Sequence, residues 1–278
     1  MFIYQLGSEK HMQTGLVCEV SVEDYENGTL RKHENTRAEK EDLLAQYQEV
    51  VGASTDLARF KQLFEEVQNT YLTDGHHRAA SGYRYAEIMR AKSGSNNGDE
   101  PFNQLLIALF PDNQLNLLPF HRSVRDSNGL SAEQIAAALE KNFEVEHLKG
   151  QTEFTPAKHG EFGMLAKGQW YKLAVRAGCI DSKDPVGSLD VSILQNHILD
   201  PVLGIKDMRD DPRLGYVAGV AGIEGIRQAA DEGWEVIFVC YATSIQQLMD
   251  VADADALMPP KSTYFDPKPR SGIFVRLK

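Results

Sequence analysis

The stretch Tyr71-Leu72-Thr73-Asp74-Gly75-His76-His77-Arg78 decides how this chain is read. A short strand, Thr70-Tyr71-Leu72, runs into a glycine turn and meets the start of a helix whose residues Ala79, Gly82, Tyr83, Ala86 and Met89 share one stripe. Backbone N–H groups at a helix N-terminus hold anions, and the helix dipole adds to the attraction. Arg78 supplies a planar fork for phosphate or carboxylate. His76 and His77 are able to donate hydrogen bonds or to act as acid and base near neutral pH. Asp74 is placed to orient a histidine, accept a proton or hold Mg²⁺. The structural alternative is that Asp74 caps the helix and the histidines cover its first turn. Two adjacent histidines followed by an arginine at such a junction favour the anion site. Adjacent histidines point in different directions on a helix and no further ligands are spaced to join them, so no metal site is expected.

Upstream, the segments Phe2 to Leu6 and Gly15 to Val22 read as a hairpin. His33-Glu34-Asn35-Thr36 follows. Thr36-x-x-Glu39 is a capping box, which predicts a helix with Leu43, Leu44, Tyr47, Val50 and Val51 on one face and Gly52 at its end. That device explains Thr36 but leaves His33 and Glu34 over. A carboxylate just ahead of a helix is able to act as a general base or a metal-bound carboxylate, so Glu34 is a candidate, with His33 as a pocket residue, although from the residues alone the helix-start reading is the stronger one. A second helix is expected at about Leu57 to Val67.

Downstream, Ser93 to Glu100 is polar, glycine-rich and without periodicity, and divides the chain into an expected 1–98 part and a 99–278 part. Phe102 to Phe110 is strongly apolar, and Leu115 to Phe120 reads as a strand. Ser131-x-x-Gln134 and Ser244-x-x-Gln247 are capping boxes; the first opens a helix ending near Phe143, the second a helix to about Ala254. Strands are expected around Phe162 to Leu165 and Trp170 to Val175, then at Gly215 to Val220, Trp234 to Tyr241 and Ser271 to Leu277. Helices are expected at Leu189 to Leu203 and Ile223 to Glu232. This alternation gives an α/β or α+β class with mixed sheets and flanking helices.

Two further groups of residues belong to a possible site. In Met258-Pro259-Pro260-Lys261-Ser262-Thr263-Tyr264-Phe265-Asp266-Pro267-Lys268-Pro269, prolines stiffen a loop in which Lys261, Ser262, Thr263 and Lys268 look like anion contacts. Lys-Ser-Thr matches the end of a Walker motif, but the glycine-rich run before it is absent, so this is not a P-loop. A rigid surface loop before the last strand is the alternative. His121 and Arg122 end a strand and are able to line a cleft, although such pairs are more often structural. There is no G-x-S-x-G, H-E-x-x-H or G-x-G-x-x-G in the chain.

The 278 residues carry 29 Lys+Arg against 40 Asp+Glu, a net charge of −11. That balance argues against a broad nucleic-acid surface and against docking on anionic lipid, but leaves room for a local anion site. Hydrophobic residues at 42% and charged residues at 25% are an ordinary globular balance. Cys18, Cys179 and Cys240 are an odd number and far apart, which indicates neither a disulfide framework nor a zinc knuckle. With no apolar stretch of signal-peptide or membrane-spanning length, a cytoplasmic protein is expected.

Taken together, H-E-N-T at 33–36, Y-L-T-D-G-H-H-R at 71–78, L-P-F-H-R at 118–122, D-P-V-G-S-L-D-V-S-I-L at 184–194 and M-P-P-K-S-T-Y-F-D-P-K-P at 258–269 resemble the bacterial and archaeal "domain of unknown function 1015" family over essentially the whole chain. Within it, the D-G-H-H-R element is similar to the phosphate-binding turn of ParB/sulfiredoxin-like proteins and of archaeal free serine kinases. The resemblance implies a ParB/sulfiredoxin-like N-terminal part. It implies that Gly75, His76, His77 and Arg78 hold nucleotide phosphates, that Asp74 precedes them as in the kinases, and that Glu34 is a counterpart of their acidic catalytic residue. It implies ATP or ADP with Mg²⁺, a small-molecule substrate such as free L-serine, and serine metabolism. A non-catalytic nucleotide or phospho-metabolite regulator and a ParB-like DNA-associated protein are the alternatives, the latter disfavoured by the charge. Family members usually carry more residues before Tyr4 and between Asp56 and Phe64, so the resemblance also implies a shortened member.

Overall fold

The computed structural model describes residues 2–7, 11–33, 49–50, 64, 67–94, 97–269 and 276–277. The chain forms two compact units, one of Met1–Asn116, Asp255–Leu257 and Phe265–Lys278, the other of Leu117–Ala254 and Met258–Tyr264.

The first unit carries, in chain order, β1 (Phe2–Gly7), β2 (Met12–Ser21), α1 (Glu23–Glu26), β3 (Leu30–Arg31), β4 (Glu49–Val50), β5 (Thr70–Tyr71), α2 (His76–Ser93) and β6 (Gln104–Leu109). β1, β2 and β6 make an antiparallel sheet in that order, with Phe2 opposite Val17 and Leu16 opposite Leu109, so the expected hairpin forms. β3 and β5 pair in parallel, Leu30 beside Thr70 and Arg31 beside Tyr71. α2 buries Ala79, Ala80, Gly82 and Ala86, small residues that let it sit close to Val22, Tyr25, Leu30, Leu72 and Leu105. Gly94 stops it in a left-handed C-cap whose N–H returns to Arg90 O. Arg90 ties the last turn down, with Nε donating to Asn103 Oδ1 at 2.7 Å and Nη2 on Glu23 Oε1 at 2.5 Å.

The expected helix opened by Thr36 lies mostly outside the described residues, but it does not reach Val50. There the chain is extended in β4 and pairs antiparallel with β15 (Arg276–Leu277), the described end of the expected final strand. The β-branched Val50 suits a strand better than a helix. The helix expected at Leu57 to Val67 lies almost wholly outside the described residues.

The second unit begins with β7 (Leu117–Leu118) and β8 (Phe120–Val124) and continues through α3 (Ala132–Leu139), β9 (Phe143–His147), β10 (Glu161–Ala166), β11 (Gln169–Val175), α4 (Asp190–Leu194), β12 (Leu214–Ala218), α5 (Gly222–Asp231), β13 (Val236–Cys240) and α6 (Ile245–Asp253). β14 (Tyr264–Phe265) then leads back into the first unit. A six-stranded sheet of order β12-β8-β13-β10-β11-β9 forms the frame, with neighbouring strands antiparallel. One face packs Val124, Met164, Phe162 and Phe238 against α3 and the 193–205 segment; the other packs Leu165, Ile237 and Val239 against Ile226 and Ala229 of α5. Each fully buried Leu, Ile or Phe contributes about 1.5–3 kcal/mol relative to exposure. Both capping boxes are made: Ser131 and Ser244 accept from Gln134 N–H and Gln247 N–H.

Two expectations need adjusting here. The helix opened at Ser131 ends at Leu139, and Phe143 instead begins an edge strand, β9. The helix expected over Leu189 to Leu203 is α4 followed by a π turn at Gln195–Leu199. The fold is thus mixed α/β, and among the described residues no helix is long and apolar enough to cross a membrane.

Candidate functional site

The parallel pairing of β3 with β5 builds the site in the first unit. Thr70 N–H donates to Thr29 O at 3.0 Å and Leu72 N–H to Arg31 O at 2.7 Å. This sets His33 and the D-G-H-H-R turn leaving the same carboxyl edge, the edge at which parallel strands commonly present their ligands. His33 is fully buried there, and its ring meets that of His76 edge to face, centroids 4.6 Å apart at 86°.

Gly75 opens α2 as its N-cap with φ +90° and ψ 26°, a left-handed conformation that glycine adopts without strain. Among the described residues no side chain caps the helix. Asp74 Oδ1 accepts from Gly75 N–H at 3.0 Å, while Asp74 Oδ2 accepts from Lys268 Nζ at 3.3 Å. The Asp74 cap suggested by the sequence is therefore a local turn contact rather than a bond to the helix. The guanidinium of Arg78 folds over the turn: a Cβ added to Gly75 would meet its Nη2 at 2.8 Å and its Nε at 2.9 Å. Lys268 arrives because Gln13, buried on β2, donates to Pro267 O at 3.0 Å, and Asp266 N–H donates to Asn116 O at 3.0 Å. Nothing in the sequence signals that anchor.

The electrostatics separate the histidines from the cations. Burial, and then the neighbouring His76, push the His33 imidazole down to about 3. The Leu72 carbonyl favours its protonated form less than burial opposes it, and among the described residues neither ring nitrogen has a hydrogen bond of good geometry. Burial pushes His76 down to about 4, against the pull of Asp74. Both rings are neutral at physiological pH. His77 is half-buried, its carbonyl taking the Ser81 hydroxyl at 2.6 Å. Arg78 and Lys268 are exposed. Glu34 lies outside the described residues.

The remaining candidates belong to the second unit. Arg122 is fully buried on β8; its Nη1 donates to Phe120 O at 2.7 Å and its Nη2 to Pro260 O at 3.0 Å. His121 Nδ1 accepts from Cys240 N–H at 3.1 Å, which puts any ring proton of the neutral form on Nε2. Burial, helped by the charge of Arg122, pushes His121 down to about 4. Ser262 Oγ donates to Pro259 O at 2.6 Å and Thr243 Oγ1 to Ser262 O at 3.3 Å, so the 258–264 loop is fixed by hydrogen bonds as well as by prolines. Thr263 is half-buried; Lys261 is exposed, has φ +54°, and holds its Nζ 5.4 Å from the centre of the Phe120 ring.

The chain belongs to a family of proteins of unknown function, DUF1015, whose pattern matches residues 1–56 and 49–192. No curated protein matches the chain. Among solved structures it is similar to a mutant free serine kinase in complex with AMP, at 12% identity and TM-score 0.48, over 94% of this chain and 92% of that one. It is also similar to SbnI with a C-terminal truncation from Staphylococcus aureus, at 11% identity and TM-score 0.47, over 94% and 87%. A conserved hypothetical protein from Pyrococcus furiosus matches at 12% identity and TM-score 0.42, over 94% and 95%. Likenesses of this degree leave ligand and activity to be argued from the chain's own residues.

Proposed function

We propose that the first unit binds a nucleotide through its phosphates at the Gly75 turn, and that the protein is a nucleotide-dependent phosphotransferase acting on a small hydroxyl metabolite, with free L-serine as the first candidate. One observation carries the reading: the parallel β3/β5 pair sends His33 and the Gly75 turn off the same strand edge, where Arg78 folds over the N-terminus of an uncapped eighteen-residue helix with Lys268 beside it. Helix N-terminus, guanidinium fork and ammonium are the donor types that phosphates take. The fit to Mg²⁺ is less direct, because each oxygen of Asp74 already accepts a hydrogen bond. Bound Mg²⁺ would ride on the phosphate oxygens and neutralise charge there.

In such a transfer the substrate hydroxyl oxygen bonds to the terminal phosphorus, the bridging bond to the leaving nucleotide breaks, and the hydroxyl proton passes to a base. His33 and His76, held neutral, serve as uncharged walls or hydrogen-bonding partners rather than as cations. The base is proposed to be Glu34, next in the chain after His33, or Asp74 once phosphate has drawn Lys268 away. The test is to incubate the purified protein with ATP or ADP, Mg²⁺ and L-serine or related hydroxy compounds, following phosphomonoester formation by ³¹P NMR. Absence of both turnover and nucleotide binding overturns the proposal. Nucleotide binding without turnover would select the regulator reading, which the low pKa values of both buried histidines favour.

A further inference from the structure

Arg122 poses a problem that the first unit's site does not touch. A guanidinium stays charged in proteins, and taking it out of water costs several kcal/mol unless a partner compensates. Arg122 is fully buried, yet among the described residues no carboxylate pairs with it, and its Nε is buried without a hydrogen bond. Two neutral carbonyls, of Phe120 and Pro260, and the face of the Tyr216 ring at 5.0 Å are what it has. The ionisable groups around it are uncharged. Burial pushes the Cys240 thiol up to about 12, the Tyr216 phenol is also raised by burial, and His121 is neutral. Asp190, whose charge reaches Cys240, is already engaged by Gly160 N–H at 2.8 Å and His159 Nε2 at 3.3 Å.

The unused donor has a definite direction. Nε and Nη2 form one side of the guanidinium, the fork that takes a carboxylate or phosphate through two parallel hydrogen bonds. Among the described residues, Nη2 is occupied only by the Pro260 carbonyl, in the loop that carries Lys261. Lys261, in a left-handed conformation uncommon for a side-chain-bearing residue, brings its ammonium over Phe120, the residue whose carbonyl Arg122 also holds. A second cation thus stands at Phe120, the first residue of β8, in a chain of net charge −11.

We propose that the start of β8 is a second anion site, in which the Nε/Nη2 fork of Arg122 and the ammonium of Lys261 bind a small oxyanion, a carboxylate or a phosphate monoester. The anion replaces the Pro260 carbonyl on Nη2 and satisfies Nε, so binding displaces one contact of the Pro259–Thr263 loop and neutralises the buried charge. This site is independent of the nucleotide reading.

The experiment uses the full chain with Arg78→Met and Lys268→Met, which removes the turn's two cations. Inorganic phosphate and acetate are titrated separately at constant ionic strength by calorimetry. One saturable equivalent of either is expected, weakened about tenfold or more by adding Lys261→Met, and lost on adding Arg122→Met. Phosphate binding alone identifies a phosphate monoester site, and acetate binding alone a carboxylate site. Lys261 is exposed, so its variant reports even if Arg122→Met fails to fold. No saturable binding of either probe, or binding undiminished by Lys261→Met, overturns the proposal. Because the turn is disabled throughout, the outcome stands apart from whether the wild-type protein binds nucleotide.

Discussion

Replacing Gly75 by Ala tests the turn on two separable quantities. The first is backbone energy. Gly75 sits at φ +90°, and an L-residue held in left-handed territory costs about 1–2 kcal/mol. The second is space. The new Cβ would stand 2.8 Å from Arg78 Nη2, 2.9 Å from Nε and 3.2 Å from Cζ, so the guanidinium must leave the turn. That is the far end of a flexible side chain, so its displacement adds little to the stability loss. It does remove a charged donor from the proposed phosphate site, where such a hydrogen bond would be worth about 1.5–3 kcal/mol, or roughly ten- to a hundredfold in affinity. Gly75→Ala should therefore lose about 1–2 kcal/mol by denaturant titration and bind ADP at least about tenfold more weakly by calorimetry. Gly75→Asn separates the two, because Asn tolerates the left-handed region and should recover much of the stability while still displacing Arg78. In an Arg78→Ala background, Gly75→Ala should cost stability but no further affinity. Wild-type affinity in Gly75→Asn, alongside a loss in Arg78→Ala, would refute the argument.

Lys268→Ala should weaken ADP binding and flatten its salt dependence while barely changing stability, because the Lys268–Asp74 pair is exposed; a large stability loss by denaturant titration would contradict this. His33→Leu should hold or raise stability by up to about 1 kcal/mol, since neither ring nitrogen makes a hydrogen bond of good geometry, and should lower phosphotransfer if the ring serves the site; urea midpoints and ³¹P assays read the two. Acid should destabilise the fold from about pH 6.5 downward: the folded imidazoles of His33, His76 and His121, at about 3, 4 and 4, refuse protons that the unfolded chain accepts. Each removes about 1.4 kcal/mol per pH unit as pH falls toward its folded value. Asp190, raised to about 6, works in the opposite sense below that pH and offsets about one of them. Denaturant midpoints that stay flat from pH 7 to pH 5 would contradict these burial assignments.

The elements of the second unit were legible because local and tertiary demands agree there. Ser131 and Ser244 cap the helices their sequences announce, and the apolar Val236–Cys240 run is a central strand buried on both faces. β9 is concealed in the sequence although Phe143-Glu144-Val145-Glu146-His147 alternates, because its outward glutamates at a sheet edge read as helix-end polarity. Glu49–Val50 reads as helix in the sequence for a related reason: its pairing with Arg276–Leu277 spans most of the chain, and a two-residue strand has no periodicity to betray it.

The site was legible as motifs and illegible as contacts, and the reason is the same short-strand effect. Leu30–Arg31 and Thr70–Tyr71 are two-residue strands about forty residues apart, yet their parallel register is what brings His33 onto His76. Residue type pointed to Arg78 and Lys268, but the Gln13 contact that places Lys268 beside Asp74 depends on a buried amide that carries no sequence signal. Burial then changes the chemistry that residue type suggests. A histidine is a neutral-pH acid–base group only while water can stabilise its charge, so the same turn that gathers His33 and His76 removes them from that role. Arg122 shows the converse: the sequence places it at a strand end, but it lies in the middle of β8, and a guanidinium that keeps its charge is left there buried with no hydrogen bond at Nε among the described residues. Whatever proton transfer the first unit performs should accordingly not depend on protonating His33 or His76 near neutral pH, and the pH profile of activity should carry no ascending limb from either near pH 6.5.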